Sequence, residues 1–221
     1  NYSEAEQLFL KHLSNVGDQD IVAFSGKITT LRWQEDMAKI VRKHQPDTFL
    51  VSGNGLATEI KMGLFNWIPE LDGIARSEGD DAILIIARDA KLIKERGWSG
   101  AINSNKLSPF YKGEIRGRGR FMYEGNRPSN LDEIPYGALD LLESDPNGYN
   151  VLEDYINVPV WGMAANNSSA TPFTMRRSLT TVSSRGCPYA CAFCYRGAQG
   201  ERNYGMRTPE HIAKQVRGYV D

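Results

Sequence analysis

The chain has 221 residues, with 26 Lys+Arg against 27 Asp+Glu, so its formal net charge of −1 gives no general attraction to nucleic acid or an anionic membrane. At 41% hydrophobic and 10% aromatic residues it is too apolar to be disordered. No run approaches the ~18 consecutive apolar residues that span a bilayer, and no basic start followed by an apolar stretch marks a signal peptide.

Residues 3–16 (SEAEQLFLKHLSNV) have the spacing of an amphipathic helix, with Ser3 and Glu6 placed as a capping box. Asp20–Ser25 is a short apolar run of strand length, Gly26 ends it, and Thr30–Lys43 is again helical. Thr48–Ser52 predicts a second buried strand, closed by Gly53-Asn54-Gly55. A helix around Glu59–Phe65, a short strand over Leu71–Ala75 and a helix over Asp81–Ile86, running at most to Arg88, follow. Alternating helices and short apolar strands predict a parallel sheet covered by helices, so residues 1–95 read as a doubly wound α/β domain. Such sheets usually open with a strand. This chain opens with a helix, and on Asn1 rather than Met, which reads as truncation.

Residues 96–175 are rich in Gly, Asn, Ser and Pro and read as a linker and hairpin region. They hold the basic run KGEIRGRGR (112–120), with Glu114–Tyr123 in a hairpin or extended strand. A solvated edge strand or loop is the plain reading of that run; phosphate or nucleic-acid contact is the other. The segment LDEIPYGALDLL (131–142) reads as a linker entering a short helix. Residues 176–221 form a third segment: Leu179–Ser184 predicts a strand, residues 185–202 a loop, and Pro209 to about Val220 a helix. Thr208 is that helix's N-cap, with Pro209 and Glu210 in its first turn.

All three cysteines, Cys187, Cys191 and Cys194, lie in that loop within eight residues. A secreted disulfide framework would use an even number spread along the chain, so these thiols read as ligands kept reduced in a cytosol. Three thiolates spaced CxxxCxxC can bind three irons of a four-iron four-sulfur cluster and leave the fourth open to a small chelating molecule. Structural zinc wants four ligands, and the nearest histidine is His211 on the following helix.

The segment SRGCPYACAFC (184–194) resembles the signature of the radical S-adenosylmethionine (SAM) enzymes, and RTPEHI (207–212) resembles that family's entry into the first barrel helix. The resemblance implies that the three cysteines hold a four-iron four-sulfur cluster. In that family SAM chelates the unique iron and is cleaved reductively to a 5′-deoxyadenosyl radical, which the resemblance implies here too. It implies that Phe193 lies beside the adenine, with core packing as the alternative for that residue. An electron donor such as flavodoxin or ferredoxin is implied too. Only 27 residues follow Cys194, against the ~200–250 of a full barrel. Residues 176–221 are therefore expected to be its first strand, cluster loop and helix, and the chain alone to form little or no 5′-deoxyadenosine.

An α/β domain ahead of such a segment resembles the cobalamin-binding branch of the family. Three patches match by position: Phe24, Ser25 and Gly26 at the end of the first strand, Val51, Ser52, Gly53, Asn54 and Gly55 at the end of the second, and Arg76, Ser77, Glu78, Gly79 and Asp80 after the third; of these the cofactor contacts expected are Ser25, Gly26, Ser52, Gly53, Asn54, Glu78 and Gly79. Ligands of open parallel sheets sit beyond the carboxyl ends of strands. Each patch by itself is also what an ordinary turn looks like. Where Gly55 stands the family commonly has a histidine, and Asp-x-His-x-x-Gly is absent. No histidine is therefore an obvious lower ligand, and the nucleotide tail is expected in a protein pocket.

These readings make the chain a fragment of a cytoplasmic, cobalamin-dependent radical SAM methyltransferase acting on a small molecule or peptide. The fold expected is a partial Rossmann-like domain followed by the start of a (β/α) barrel. A cobalamin-independent methylthiotransferase or maturase is the second reading; it would need a second cluster, for which no spare cysteines exist. The third is a zinc-bound nucleic-acid module.

Overall fold

The computed structural model describes residues 2–108, 111–115, 117–143, 150–157, 179, 181–189, 191–193 and 204–220. Helix α1 (Tyr2–Val16) leads to strand β1 (Ile21–Ser25), and a 3₁₀ turn (Ile28–Thr30) opens α2 (Leu31–His44). Next come β2 (Phe49–Gly53), α3 (Asn54–Ile60), a second 3₁₀ turn (Lys61–Gly63), α4 (Leu64–Trp67), β3 (Gly73–Ser77) and α5 (Ala82–Asn103). The hairpin of β4 (Tyr111–Ile115) and β5 (Arg118–Gly125) follows.

The strands form one five-stranded sheet in the order β1-β2-β3-β5-β4. β1, β2, β3 and β5 are mutually parallel and β4 runs antiparallel to β5. Parallel neighbours need a crossover, supplied by α2 and by α3–α4, whereas α5 returns the chain to the far edge and the hairpin lays β5 beside β3. The sheet is mixed α/β and mostly parallel, as a Rossmann-like fold requires.

Strand side chains alternate between two apolar clusters. Leu50 and Ile74 face the helices α2 to α4, packing with Val41, Leu56 and Leu64. Phe49, Val51, Phe121 and Tyr123 face α5, packing with Ile86, Ala90 and Ile93. Both faces are therefore dry, which accounts for strands that read as short continuous apolar runs.

Two carboxylates are buried within this frame. Asp72, 1% exposed, precedes β3. Its oxygens accept from Arg42 Nη2 (2.8 Å), Arg118 Nε and Nη2 (2.7 and 3.0 Å) and the Leu50 amide (2.9 Å). Burial pulls the Arg42 guanidinium down from its ordinary value and Asp72 opposes the shift. Asp89, fully buried on α5, accepts from the Tyr123 hydroxyl (3.2 Å), the Ser108 amide (3.3 Å) and Arg88. Burial, then Asp89, pushes the Tyr123 phenol far up.

Several boundaries differ from the sequence reading for identifiable reasons. The α5 helix runs past Arg88 because Asp89, a poor helix former, has its carboxylate satisfied from outside the helix. It breaks at Gly97 (φ 67°), where Trp98 turns to stack on Phe49. The helix expected over 59–65 is split where Lys61 adopts φ 56°. The third strand starts two residues late, at Gly73, since Asp72 is engaged in the ion cluster. Ser3 does not open α1, which begins at Tyr2, and Glu6 accepts from Lys43 Nζ (2.6 Å) and pairs with His44 Nε2 (2.7 Å) of α2. Nor is the basic run simply solvated. Arg118 lies 4.7 Å over the Trp98 ring and Arg120, 7% exposed, 4.5 Å over Phe65.

Residues 1–129 with 186–204 make one compact unit, and 130–185 with 205–221 another. The second unit has 3₁₀ turns at Leu131–Glu133 and Leu139–Leu142, helix α6 (Val151–Asn157) and helix α7 (Pro209–Val220). Short strands β6 (Ser184–Gly186) and β7 (Tyr204–Met206) pair in a two-stranded sheet. The strand expected over 179–184 is thus displaced, and its described residues 181–183 are irregular. Thr208 caps α7 as its sequence implies, its Oγ1 accepting the His211 amide at 3.2 Å. No helix among the described residues is long and apolar enough to cross a membrane.

Removing one partner of a buried ion cluster leaves uncompensated charge. Asp72→Ala is therefore expected to lower the unfolding free energy by about 3–5 kcal/mol in urea titration, and a loss under about 1 kcal/mol would contradict this account. Lys43 first, then His44, hold Glu6 below the usual glutamate range. The α1–α2 docking is then complete above that range and fades as pH falls through the depressed value. Amide exchange should show α1 losing protection between about pH 6 and about pH 3 while α2 keeps its own; equal behaviour of the two helices would refute it.

Candidate functional site

The carboxyl ends of β1, β2, β3 and β5 form one edge of the sheet, with Ser25 in register with Gly53 and Ser77 with Gly125. The structure brings the first two candidate patches together. Asn54 Nδ2 donates to Ser25 Oγ at 3.0 Å, the Asn54 carbonyl side-chain oxygen accepts the Gly55 amide, and the Leu56 amide donates to the Gly26 carbonyl at 3.0 Å. Glu78 lies after β3 and accepts from Arg127 Nε and Nη2, both at 3.2 Å.

The predicted residues are not equivalent. Ser52 is fully buried and donates to Gln34 Oε1 at 2.8 Å, so its hydroxyl serves the β2–α2 packing instead of the edge. Gly26 also serves that packing: a Cβ there would stand 1.8 Å from Gln34 Nε2 and 2.3 Å from Thr30 Oγ1. At Gly53 the same atom would meet only ordinary contacts at 3.8 Å and beyond, and at Gly55 and Gly79 nothing within 4 Å. Open backbone at Gly53, Gly55 and Gly79 is what close approach of a large flat group needs.

Three conformational features mark this edge. Asn54 (φ 67°) and Ser77 (φ 63°) both adopt left-handed backbone, at the tips of adjacent strands. Asn tolerates that region and stands between two glycines; Ser77 and Arg76 fall in the third patch of the sequence, but nothing there marks their conformation. Such residues cost about 1–3 kcal/mol each and collect at ligand clamps. The third is Arg76, whose buried guanidinium reaches Glu124 at 3.4 Å while its Nε has no hydrogen-bond acceptor among the described residues. Two cavities of about 500 Å³ lie at the opposite end of the sheet. One lies beside Asp20, Thr48 and Trp98, the other beside Arg42, Asp72 and Arg118.

In the cysteine loop, Cys187 is half-buried, Cys191 is exposed, and both are free thiols. Phe193 is 93% exposed. Cys194 lies outside the described residues, so the complete three-thiol set falls outside them too. The donor chemistry of Cys187 and Cys191 suits an iron–sulfur cluster: unpaired thiols on an open segment directly after a short strand.

The architecture is a mostly parallel α/β unit with an open carboxyl edge, joined to a unit whose strand and helix flank a cysteine loop. An uncharacterized methyltransferase from Pyrococcus horikoshii is 26% identical to it over 201 residues, which is 90% of this chain and 35% of that protein. The chain thus spans about a third of that relative's length. No protein-family model and no solved structure matches the chain.

The contrast between two glycines of this edge is measurable. Gly26→Ala should lose about 1–3 kcal/mol of stability to overpacking, whereas Gly53→Ala, with φ −131°, should change stability by less than about 0.5 kcal/mol. Equal losses in urea denaturation would mean that the edge is closed at Gly53 as well.

Proposed function

We propose that the chain is part of a cobalamin-dependent radical SAM methyltransferase. The observation that carries this reading is the CxxxCxxC segment with two free thiols and an exposed Phe193, following an α/β unit with an open carboxyl edge. The similarity to a protein named as a methyltransferase supports the reaction class.

In this reading Cys187, Cys191 and Cys194, deprotonated, each hold one iron of a four-iron four-sulfur cluster. Bound there, the cluster would supply an electron for the reductive cleavage of SAM, and a corrinoid would supply the methyl group. Phe193 offers a flat apolar face for the adenine. Gly53, Gly55 and Gly79 leave their backbones open to a corrinoid, and Asn54, fixed by Ser25, orients the β2 tip beside it. Excluding side-chain bulk at that edge is the protein's main contribution there. The reading carries with it a reducing, cytoplasmic setting, an electron donor of the flavodoxin or ferredoxin kind, and a small-molecule or peptide substrate.

Anaerobic reconstitution with iron and sulfide should give a broad absorbance near ~400 nm from thiolate-to-iron charge transfer. Cys191→Ala should abolish it, because two thiolates do not hold the cluster. Tight stoichiometric zinc with no cluster under any reconstitution would overturn the proposal. For the second cofactor, hydroxocobalamin should bind the chain and Gly53→Val should weaken that binding. Equal binding by both proteins would remove the corrinoid from the reading.

A further inference from the structure

The basic run of the sequence has no part in the function proposed above, yet two of its arginines reach a cavity. Arg118 and Arg120 of β5 line the space of about 520 Å³ at the amino end of the sheet, with Arg42 of α2, Phe65 of α4, Glu70 and Asp72. The two carboxylates there are not equivalent. Asp72 is saturated, since its oxygens accept from Arg42 Nη2, from Arg118 Nε and Nη2 and from the Leu50 amide. Glu70 gives Arg42 only its backbone carbonyl, at 2.7 Å. Its side-chain Oε2 is buried and has no hydrogen-bond partner among the described residues. A buried acceptor in that state calls for a donor that the protein does not supply.

The charges around the cavity do not cancel. Three guanidiniums meet two carboxylates, which leaves the lining one positive charge in excess. Arg42 is committed to the fold: its terminal nitrogens serve the carbonyls of Pro46, Thr48 and Glu70 and the Asp72 carboxylate. Arg120, 7% exposed, donates through Nη2 to the Pro69 carbonyl at 3.1 Å and lies 4.5 Å over the Phe65 ring. Arg118 lies 4.7 Å over Trp98. An aromatic ring takes the face of a guanidinium and leaves its in-plane N–H fork for oxygen acceptors. The cavity therefore combines a positive wall suited to an oxyanion with one carboxylate oxygen suited to a donor.

We propose that this cavity is a binding site for inorganic phosphate in its protonated forms. Arg118 and Arg120 donate to the phosphate oxygens, and Glu70 Oε2 accepts the proton of a P–OH group. Near neutral pH inorganic phosphate keeps at least one proton, so it is an oxyanion that also donates. Sulfate has the same shape and no proton, and would turn an oxygen lone pair towards Glu70. The arginines thus supply the attraction and the carboxylate supplies the choice between the two ions. This site lies at the opposite end of the sheet from the open glycine backbone, and it depends on neither the cluster nor the corrinoid.

The test titrates the 221-residue chain with sodium phosphate and, separately, sodium sulfate at constant ionic strength and about pH 7, following backbone amide shifts by NMR. Phosphate should give saturable shifts centred on Glu70, Arg118 and Arg120, and should bind about tenfold more tightly than sulfate. Bound phosphate should also raise the urea midpoint. Glu70→Gln keeps the side chain's size but presents an N–H donor in place of the acceptor. In that variant the preference for phosphate should vanish, while the positive wall still binds both ions. Arg120→Lys keeps the charge without the fork and should weaken phosphate binding about tenfold. The shift map of the parent chain locates the site even where Arg120→Lys does not fold. Equal affinity of the parent for phosphate and sulfate would overturn the proposal, as would a preference that survives Glu70→Gln. Shifts centred elsewhere, or none at about 50 mM phosphate, would overturn it too.

Discussion

The ion cluster at Asp72 is the constraint on which the α/β unit depends. One aspartate joins three strands at their amino ends. Its own amide donates to the Leu50 carbonyl, its carboxylate takes the Leu50 amide, and its carbonyl takes the Phe121 amide. Arg42 and Arg118 reach it from α2 and β5 and carry on to the carbonyls of Pro46, Thr48 and, for Arg42, Glu70. A buried ion cluster is a poor source of net stability, because desolvating the charges offsets their attraction. What it does supply is register. A slip of one residue would turn Asp72 to the opposite face of the sheet, away from Arg42 of α2.

Fastening the amino ends leaves the carboxyl ends free to be unusual. Left-handed backbone at Asn54 and Ser77 and open glycine backbone at Gly53, Gly55 and Gly79 would weaken a sheet that had no other lock. Here they sit at the end farthest from the Asp72 cluster, and a side-chain network supports them. Thr58 Oγ1 accepts the Ser77 amide, Ser25 accepts from Asn54, and Asp81 accepts the Asn126 amide after β5. Strain is tolerable where neighbouring groups over-determine it. The chain thus separates a rigid end, closed by charge and by aromatic packing around Trp98, from an end with room at its surface.

The second unit uses the same economy on a smaller scale. Thr208 is legible in the sequence as an N-cap because Pro209 and Glu210 follow it. Its second bond, to Asp132, was not legible, because Asp132 sits in a stretch that by pattern alone is only a linker. The same blindness affected Glu6. Its spacing from Ser3 satisfies the capping-box rule, yet the carboxylate meets Lys43 and His44, nearly forty residues on. Short-range rules name a residue's local option; they do not register a charge-assisted partner that packing brings close from another helix.

What the sequence determines by itself is the periodic and the covalent: short apolar runs between amphipathic helices, hence a mostly parallel sheet, and three thiols held within eight residues of one another whatever the fold. Both follow from patterns that repeat every two or four residues, or from chemistry carried by side chains already adjacent in the chain. What only the tertiary structure decided depends on distant partners. Asp89 lets α5 continue because Tyr123 and Ser108 satisfy it, and Ser52 and Gly26 are packing residues because Gln34 occupies the space beside them. Gly53 stays open because nothing does. Those outcomes turn on which side chains converge after the sheet has formed, and local spacing holds no record of that convergence.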